Sequence, residues 1–134
     1  DMGTATTISV IGPNARLLGG AIMPGAAVSL EALSGTASLL PRVSLEAPRR
    51  CIGSGTIECM KSGAVFGAAS AIDGMIDRME AELGGKAAVV ATGGLAQHII
   101  PYCRHEIEID DYMLLRGLSL IWQRNRRERR REAK

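Results

Sequence analysis

The sequence predicts an α/β domain, and three observations carry that reading. Two short β-branched runs open the chain around a Gly-Pro break, apolar residues recur at helical spacing over 56–83, and a five-residue apolar run at 87–91 leads into a glycine pair and a new helix start. Strands come first and helices then alternate with strands, the order expected of a layered α/β fold. With 134 residues, 46% hydrophobic and 22% charged, the chain is long enough to bury one core.

The elements follow in order. Residues 5–11 (ATTISVI) alternate and are β-branched; Gly12, Pro13 and Asn14 break the run and residues 16–22 resume it, which predicts a β-hairpin. Pro24 and Gly25 end the second strand. Val28, Leu30, Leu33, Leu39 and Leu40 predict a helix stopping at Pro41, with a short strand at 43–45 after it. Residues 48–55 read as a loop. Thr56 near an N-cap, Glu58, and apolar periodicity as far as Leu83 predict a long helix that Gly84 and Gly85 end. Residues 87–91 predict a buried strand, 92–94 a tight turn, and 95–100 a helix stopped by Pro101; strand, glycine turn and helix start together suit an anion. Residues 106–109 alternate as a partly exposed strand, and 112–122 form a last amphipathic helix that runs into an arginine-rich tail.

Charge and composition narrow the function classes. The formal net charge is only +2, and the stretch 124–134 carries +5 of it, so the preceding 123 residues sum to −3. The body is mildly acidic, which points away from a nucleic-acid or membrane surface. Trp, Tyr and Phe number four against 16 glycines, which disfavours base-stacking platforms and favours a tightly packed, small-residue interior. The three cysteines, Cys51, Cys59 and Cys103, have neither disulfide-framework nor zinc spacing, so reduced thiols in a cytoplasm are the expectation. The longest small or apolar run, 63–72, falls far short of the roughly 20 residues that span a bilayer, and no basic-then-apolar leader opens the chain. The chain starts on Asp1 inside a structured segment without an initiator Met, which predicts an upstream part of a longer protein.

Several motifs can carry chemistry, each beside a plainer account. In DMGTATT, Gly3 lets backbone approach an oxyanion, the Thr4 hydroxyl can donate to phosphate oxygens, and Asp1 can hold a cation that offsets their charge. A Thr-rich hairpin with an acidic end accounts for the same residues. In ATGGLA, Gly93 and Gly94 offer bare backbone to a flat ligand, or simply a turn needing positive φ. Thr56 after Gly53, Ser54 and Gly55 can bind a carboxylate or hydroxyl at a helix start, or can cap that helix. Gly63, Gly67 and Ala71 recur at intervals of four on the long helix, with Ser70 and Gly74 nearby. Interior glycine costs about 1 kcal/mol relative to Ala, so close approach by another helix or by the chain's own sheet must compensate. His98 and His105 flank Pro101 and read as structural or surface residues, and Asp73 and Asp77 as a solvated helix edge. The tail RNRRERRREAK can touch RNA or anionic lipid; a frayed helix end explains it equally.

Taken together, these segments resemble type III pantothenate kinase, of the actin-like and sugar-kinase superfamily. The resemblance rests on DMGTATT, LLGGAIMPG, SLEAL, LPRVSLEAP, IGSGTIECMKSGAVFGAASAIDGMIDR, VVATGGLA and LLRGLSLIWQRN, in order and over about residues 1–125. It implies a ribonuclease H-like, actin-like ATPase lobe whose mixed sheet carries a β-hairpin and is flanked by helices. Residues 1–123 would form the C-terminal lobe of a two-lobe kinase, and 124–134 a basic, frayed or disordered tail. The implied activity is ATP-dependent phosphorylation of pantothenate to 4′-phosphopantothenate, the first step of coenzyme A synthesis, in the cytoplasm. The resemblance puts a monovalent cation, potassium or ammonium, on Asp1 and ATP, with magnesium, against Gly3, Thr4, Gly93 and Gly94. It puts pantothenate on Thr56 and a homodimer contact on the long helix 56–83.

The departures are equally specific. Members are about twice this long and begin with an Asp-x-Gly-Asn-Thr strand and a Gly-x-Asp-Arg segment whose Asp is the general base. Neither occurs here, so this chain holds no catalytic base of its own and is expected to be inactive alone. Gly55 stands where Asn is usual, and Ser9 where many members have Asp. A non-catalytic lobe that dimerises or regulates a partner is the competing expectation.

Overall fold

The computed structural model describes residues 1–132. Strand β1 (Ala5–Gly12) and strand β2 (Arg16–Pro24) form an antiparallel hairpin running from Ala5 opposite Pro24 to Gly12 opposite Arg16. Pro13–Ala15 makes the turn as a single 3-10 turn, with Asn14 and Ala15 both at positive φ. Helix α1 (Ala26–Thr36) follows, then an irregular stretch to Gly55 and helix α2 (Thr56–Leu83). Strand β3 (Val90–Ala91), the short helix α3 (Ala96–Ile99), a 3-10 turn at Ile100–Tyr102, strand β4 (Glu108–Ile109) and helix α4 (Met113–Glu132) complete the chain.

Helix α2 is the spine. Val65, Ala69, Ile72 and Ile76 repeat every three or four residues, so they fall on one stripe, and all four are buried. Against that stripe pack Met2 from before β1, Ala26 from α1, Ala91 from β3, and Ala96, Ile99 and Ile100 from the α3 segment. The core thus holds the start of the chain against residues some ninety positions later.

The expected mixed sheet is replaced by two separate two-stranded sheets, the antiparallel hairpin and a parallel β3–β4 pair. Strand β3 is cut short at its start by a contact outside the sheet. The Ala87 amide, which would extend β3, donates instead to Glu80 Oε1 on α2 at 3.0 Å, and Ala87 and Ala88 are exposed. Alanines without a packing surface gain little from a strand. The expected strand at 43–45 does not form either: a turn from Ser44 to Glu46 lies between Pro41 and Pro48, with no strand edge to join. Helix α1 ends at Thr36, five residues before Pro41. Ser34 Oγ bonds back to the Leu30 and Glu31 carbonyls, and Gly35 and Thr36 are weak helix formers. Helix α4 continues ten residues beyond Trp122, the expected end of the amphipathic segment; residues 133–134 of the expected tail lie outside the described residues.

Candidate functional site

The DMGT segment and the TGG turn form one junction. The Met2 amide donates to the Thr92 carbonyl at 2.8 Å, and the Leu95 amide donates to the Met2 carbonyl at 3.0 Å. Residue 2 is therefore a rung between segments that sequence separates by ninety positions. Burial of the Met2 side chain in the core fixes the rung from below. Gly93, at φ +99, passes so close beneath that a Cβ there would sit 2.6 Å from Asp1 Oδ1, 2.6 Å from the Met2 carbonyl oxygen and 2.7 Å from the Met2 nitrogen. On the other side Gly25 donates its amide to the Thr4 carbonyl at 3.0 Å. A Cβ on Gly25 would overlap the Gly3 carbonyl at 2.2 Å. Bare backbone on both flanks clamps residues 1–4.

Asp1, Thr4 and Gly94 are exposed at this junction, and Gly3 and Gly93 half-buried. The structure thus brings together five of the six sequence-predicted site residues. Its chemistry is specific: an open carboxylate leaning over backbone that lacks a Cβ, with a free-facing threonine hydroxyl three residues along. Oxygen donors of this kind suit a hard cation, and Asp1 is the residue that could hold one. The helix-start anion site is not supported. Helix α3 has four residues, its Leu95 amide goes to Met2, and its Ala96 amide goes to the Gly93 carbonyl at 3.0 Å.

Thr56 lies elsewhere, in an open hollow of ≈ 620 Å³ whose lining includes none of the other five residues. Gly55 is the N-cap of α2, in extended conformation and with no side-chain cap, so Thr56 is the first helical residue and exposed. Glu58 serves the helix start instead: its Oε2 accepts from the Ser54 amide at 2.8 Å and the Ser54 hydroxyl at 2.6 Å, and the latter bond holds the Glu58 carboxyl below its usual range. Capping therefore does not explain Thr56. Leu39, Pro41 and Ile57 give the hollow apolar walls, and Ser54, Thr56 and Glu58 a polar rim. Glu58 already supplies the negative charge that a helix start favours, so the rim suits a hydroxyl or amide better than a second carboxylate.

The far end of α2 holds a cluster that sequence reasoning missed. Asp73 is no solvated edge: it is 2% exposed, and its carboxylate accepts from the Arg104 amide at 2.9 and 3.0 Å and from the His105 amide at 3.1 Å. One turn on, Asp77 Oδ1 meets His105 Nε2 at 2.8 Å and Oδ2 meets Arg104 at 3.2 Å; the His105 bond is the main cause that holds the Asp77 carboxyl low. Glu80 pairs with Lys86, which lowers the carboxyl and raises the amine. Asp77, Glu80 and His105 place ligand atoms within 4.8 Å of one another, so they could hold a metal, but Arg104 and Lys86 already neutralise both carboxylates. The cluster reads as a clasp that ties 103–105 and 86–87 to α2. Its only sequence signal was the acidic residues at three- and four-residue spacing on α2, which becomes legible once the loop to be held is known.

The small-residue stripe is also decided. Gly63, Gly67, Ser70 and Ala71 are exposed, and a Cβ on either glycine would meet nothing within 4 Å. The stripe does not pack on the chain's own sheets.

Comparison with known proteins agrees with the resemblance. The family model for type III pantothenate kinase matches residues 1–78. The type III pantothenate kinase of Moorella thermoacetica is 46% identical over 125 residues, covering 93% of this chain and 49% of that protein. That of Anaeromyxobacter is 45% identical over 126 residues, covering 94% and 50%. A Campylobacter jejuni crystal structure, described under the Baf family of transcriptional activators, superposes with a TM-score of 0.61 at 27% identity. It covers 94% of this chain and 56% of that one. The chain spans about half the length of the curated relatives it matches, and corresponds to their C-terminal half. Matched over nearly its whole length at such identity, this chain belongs to the type III pantothenate kinase family.

Proposed function

We propose that this chain supplies one wall of the active site of an ATP-dependent pantothenate kinase, the other wall coming from the half that it does not span. In this reading Asp1 holds a potassium or ammonium ion, Gly3 and Thr4 contact the ATP phosphates, Gly93 and Gly94 line the adenosine pocket, and Thr56 meets a hydroxyl or amide of pantothenate. The observation that carries it is the junction itself: Met2 bonded to Thr92 and Leu95, with Asp1 over Gly93. An exposed carboxylate, an exposed hydroxyl and bare backbone meet there, which is what this reading needs.

Phosphoryl transfer needs positioning and charge neutralisation more than covalent help from the protein. The pantothenate hydroxyl oxygen attacks the γ-phosphorus, the bond to the β–γ bridging oxygen breaks, ADP leaves, and the hydroxyl proton goes to a base outside this chain. The Thr4 hydroxyl would donate to phosphate oxygens, and the Thr56 rim would orient the acceptor. Magnesium on the ATP would supply further neutralisation. A cytoplasmic setting and a homodimer through the open face of α2 belong to the same proposal.

The test joins the N-terminal half of the Moorella thermoacetica relative to this chain and assays pantothenate phosphorylation. The expected result is turnover by the joined protein, a loss of about 100-fold or more with Thr4→Ala, as for removal of a charge-stabilising donor, and none from the 134-residue chain alone. Thr56→Ala should raise KM for pantothenate more than it lowers kcat. Turnover that is indifferent to Thr4 would overturn the site assignment. A joined protein that folds and dimerises without turnover would favour the non-catalytic regulatory lobe.

A further inference from the structure

The clasp at the far end of α2 carries the donor set of a small metal site. Asp77 and Glu80 are three residues apart on α2, so both carboxylates leave the same face of the helix. His105 arrives from the loop that follows the 3-10 turn at Ile100–Tyr102. Its backbone is pinned there, because the buried Asp73 carboxylate accepts the Arg104 and His105 amides. Each of the three side chains has a donor atom within 4.8 Å of those of the other two, and His105 Nε2 and Asp77 Oδ1 already meet at 2.8 Å. Ligand atoms around a tetrahedral zinc ion stand about 3.3 Å apart, a spacing between those two distances.

The outer hydrogen bonds that a metal-binding carboxylate needs are also in place. Asp77 Oδ2 is held by Arg104 at 3.2 Å, and Glu80 Oε1 by the Ala87 amide at 3.0 Å. Bonds of this kind on the second oxygen orient the first toward an ion. Asp77 Oδ1, Glu80 Oε2 and His105 Nε2 are then the atoms left to bind it. One group stands in the way, the Lys86 ammonium on Glu80 Oε2. The Lys86 side chain is 82% exposed and can turn into solvent, whereas that of Glu80, 8% exposed, stays where it is and needs a cation.

We propose that Asp77, Glu80 and His105 bind a zinc-class divalent ion in exchange for Lys86. An imidazole beside two carboxylates selects ions that accept nitrogen as well as oxygen, which favours zinc over magnesium or calcium. The two carboxylate charges balance the ion, and three protein ligands leave a fourth position for water. The imidazole binds as the neutral base and its Nε2 proton leaves to solvent. Arg104 stays on Asp77. The bound ion braces the 103–105 loop, and through it the α3 segment that follows the TGG turn, against α2. This inference is independent of the kinase reading and of any cation on Asp1.

Zinc titrated into the chelator-treated 134-residue chain, in competition with a colorimetric chelator, should bind one to one. His105→Asn should weaken binding by about 100-fold or more, since loss of an outer partner alone costs up to about that much. Lys86→Ala should tighten it by about 2–5-fold, because the ion no longer displaces an exposed ion pair. Zinc should raise the melting temperature of the parent chain and of Lys86→Ala but not that of His105→Asn, and magnesium should raise none of them. Cobalt in place of zinc should show visible bands without the near-ultraviolet band of a thiolate ligand.

No saturable binding overturns the proposal, as does binding that His105→Asn leaves unchanged. A thiolate band overturns it too, by moving the ion to Cys51 and Cys59. Should His105→Asn fail to fold in chelator, the Lys86→Ala affinity decides: tighter binding upholds the exchange, and equal or weaker binding refutes it.

Discussion

Replacing Gly93 with alanine tests the junction at its tightest point. The residue sits at φ +99, where an L side chain is strained, and left-handed backbone costs roughly 1–2 kcal/mol for a non-glycine residue. The added methyl also meets the Met2 backbone at 2.6 and 2.7 Å, and backbone cannot swing aside as Asp1 can. Relief requires residues 1–4 to lift from the turn, which weakens the Met2–Thr92 and Leu95–Met2 hydrogen bonds, each worth about 1 kcal/mol net. Together the strain and the lost bonds amount to about 3–4 kcal/mol. For a chain of this size that is a fall in melting temperature of roughly 10–15 °C. Thermal and urea unfolding followed by circular dichroism measure it. Gly94→Ala is the matched control: its Cβ meets nothing within 4 Å and its φ is not positive, so its effect should stay within about 0.5 kcal/mol. Equal stability of the two variants would refute the claim that Gly93 is bare because Met2 lies against it.

Three further outcomes concern the α2 cluster and its neighbours. Asp73→Ala leaves the partly buried amides of Arg104 and His105 without their acceptor and should destabilise by about 2–3 kcal/mol in urea melts, while Asp77→Ala, half exposed, should cost less. Burial, with the nearby Asp73 charge, pushes the Cys103 thiol up to about 11. At pH 8 iodoacetamide should therefore modify exposed Cys51 and Cys59 on the order of 100-fold faster than Cys103, as mass spectrometry of the digested protein would show. Because the folded thiol holds its proton where the unfolded one has lost it, this contribution is fully present below about pH 9 and is lost as pH rises from there through 11. Urea midpoints for Cys103→Ser should flatten that alkaline slope.

Where the signal was local, the sequence was legible. Helix α2 starts at Thr56 and ends at Leu83 as its periodicity and the Gly84-Gly85 pair require, and the hairpin forms where β-branched runs flank Gly-Pro-Asn. Where the outcome depended on a distant partner, the reading failed. The Ala87 amide went to Glu80 rather than to a sheet, residues 43–45 found no strand edge, and Asp73 turned inward because the 104–105 backbone needed an acceptor.

For the candidate site, residue chemistry offered Asp1, Gly3, Thr4, Gly93, Gly94 and Thr56 beside plainer accounts, and the family resemblance gave them their roles. Only folding decided that the first five meet at one junction, while Thr56 lines the hollow at the start of α2. That decision belongs to Met2, whose side chain sinks into the α2 core and whose backbone bonds across to Thr92 and Leu95, a contact between chain segments that no local pattern encodes.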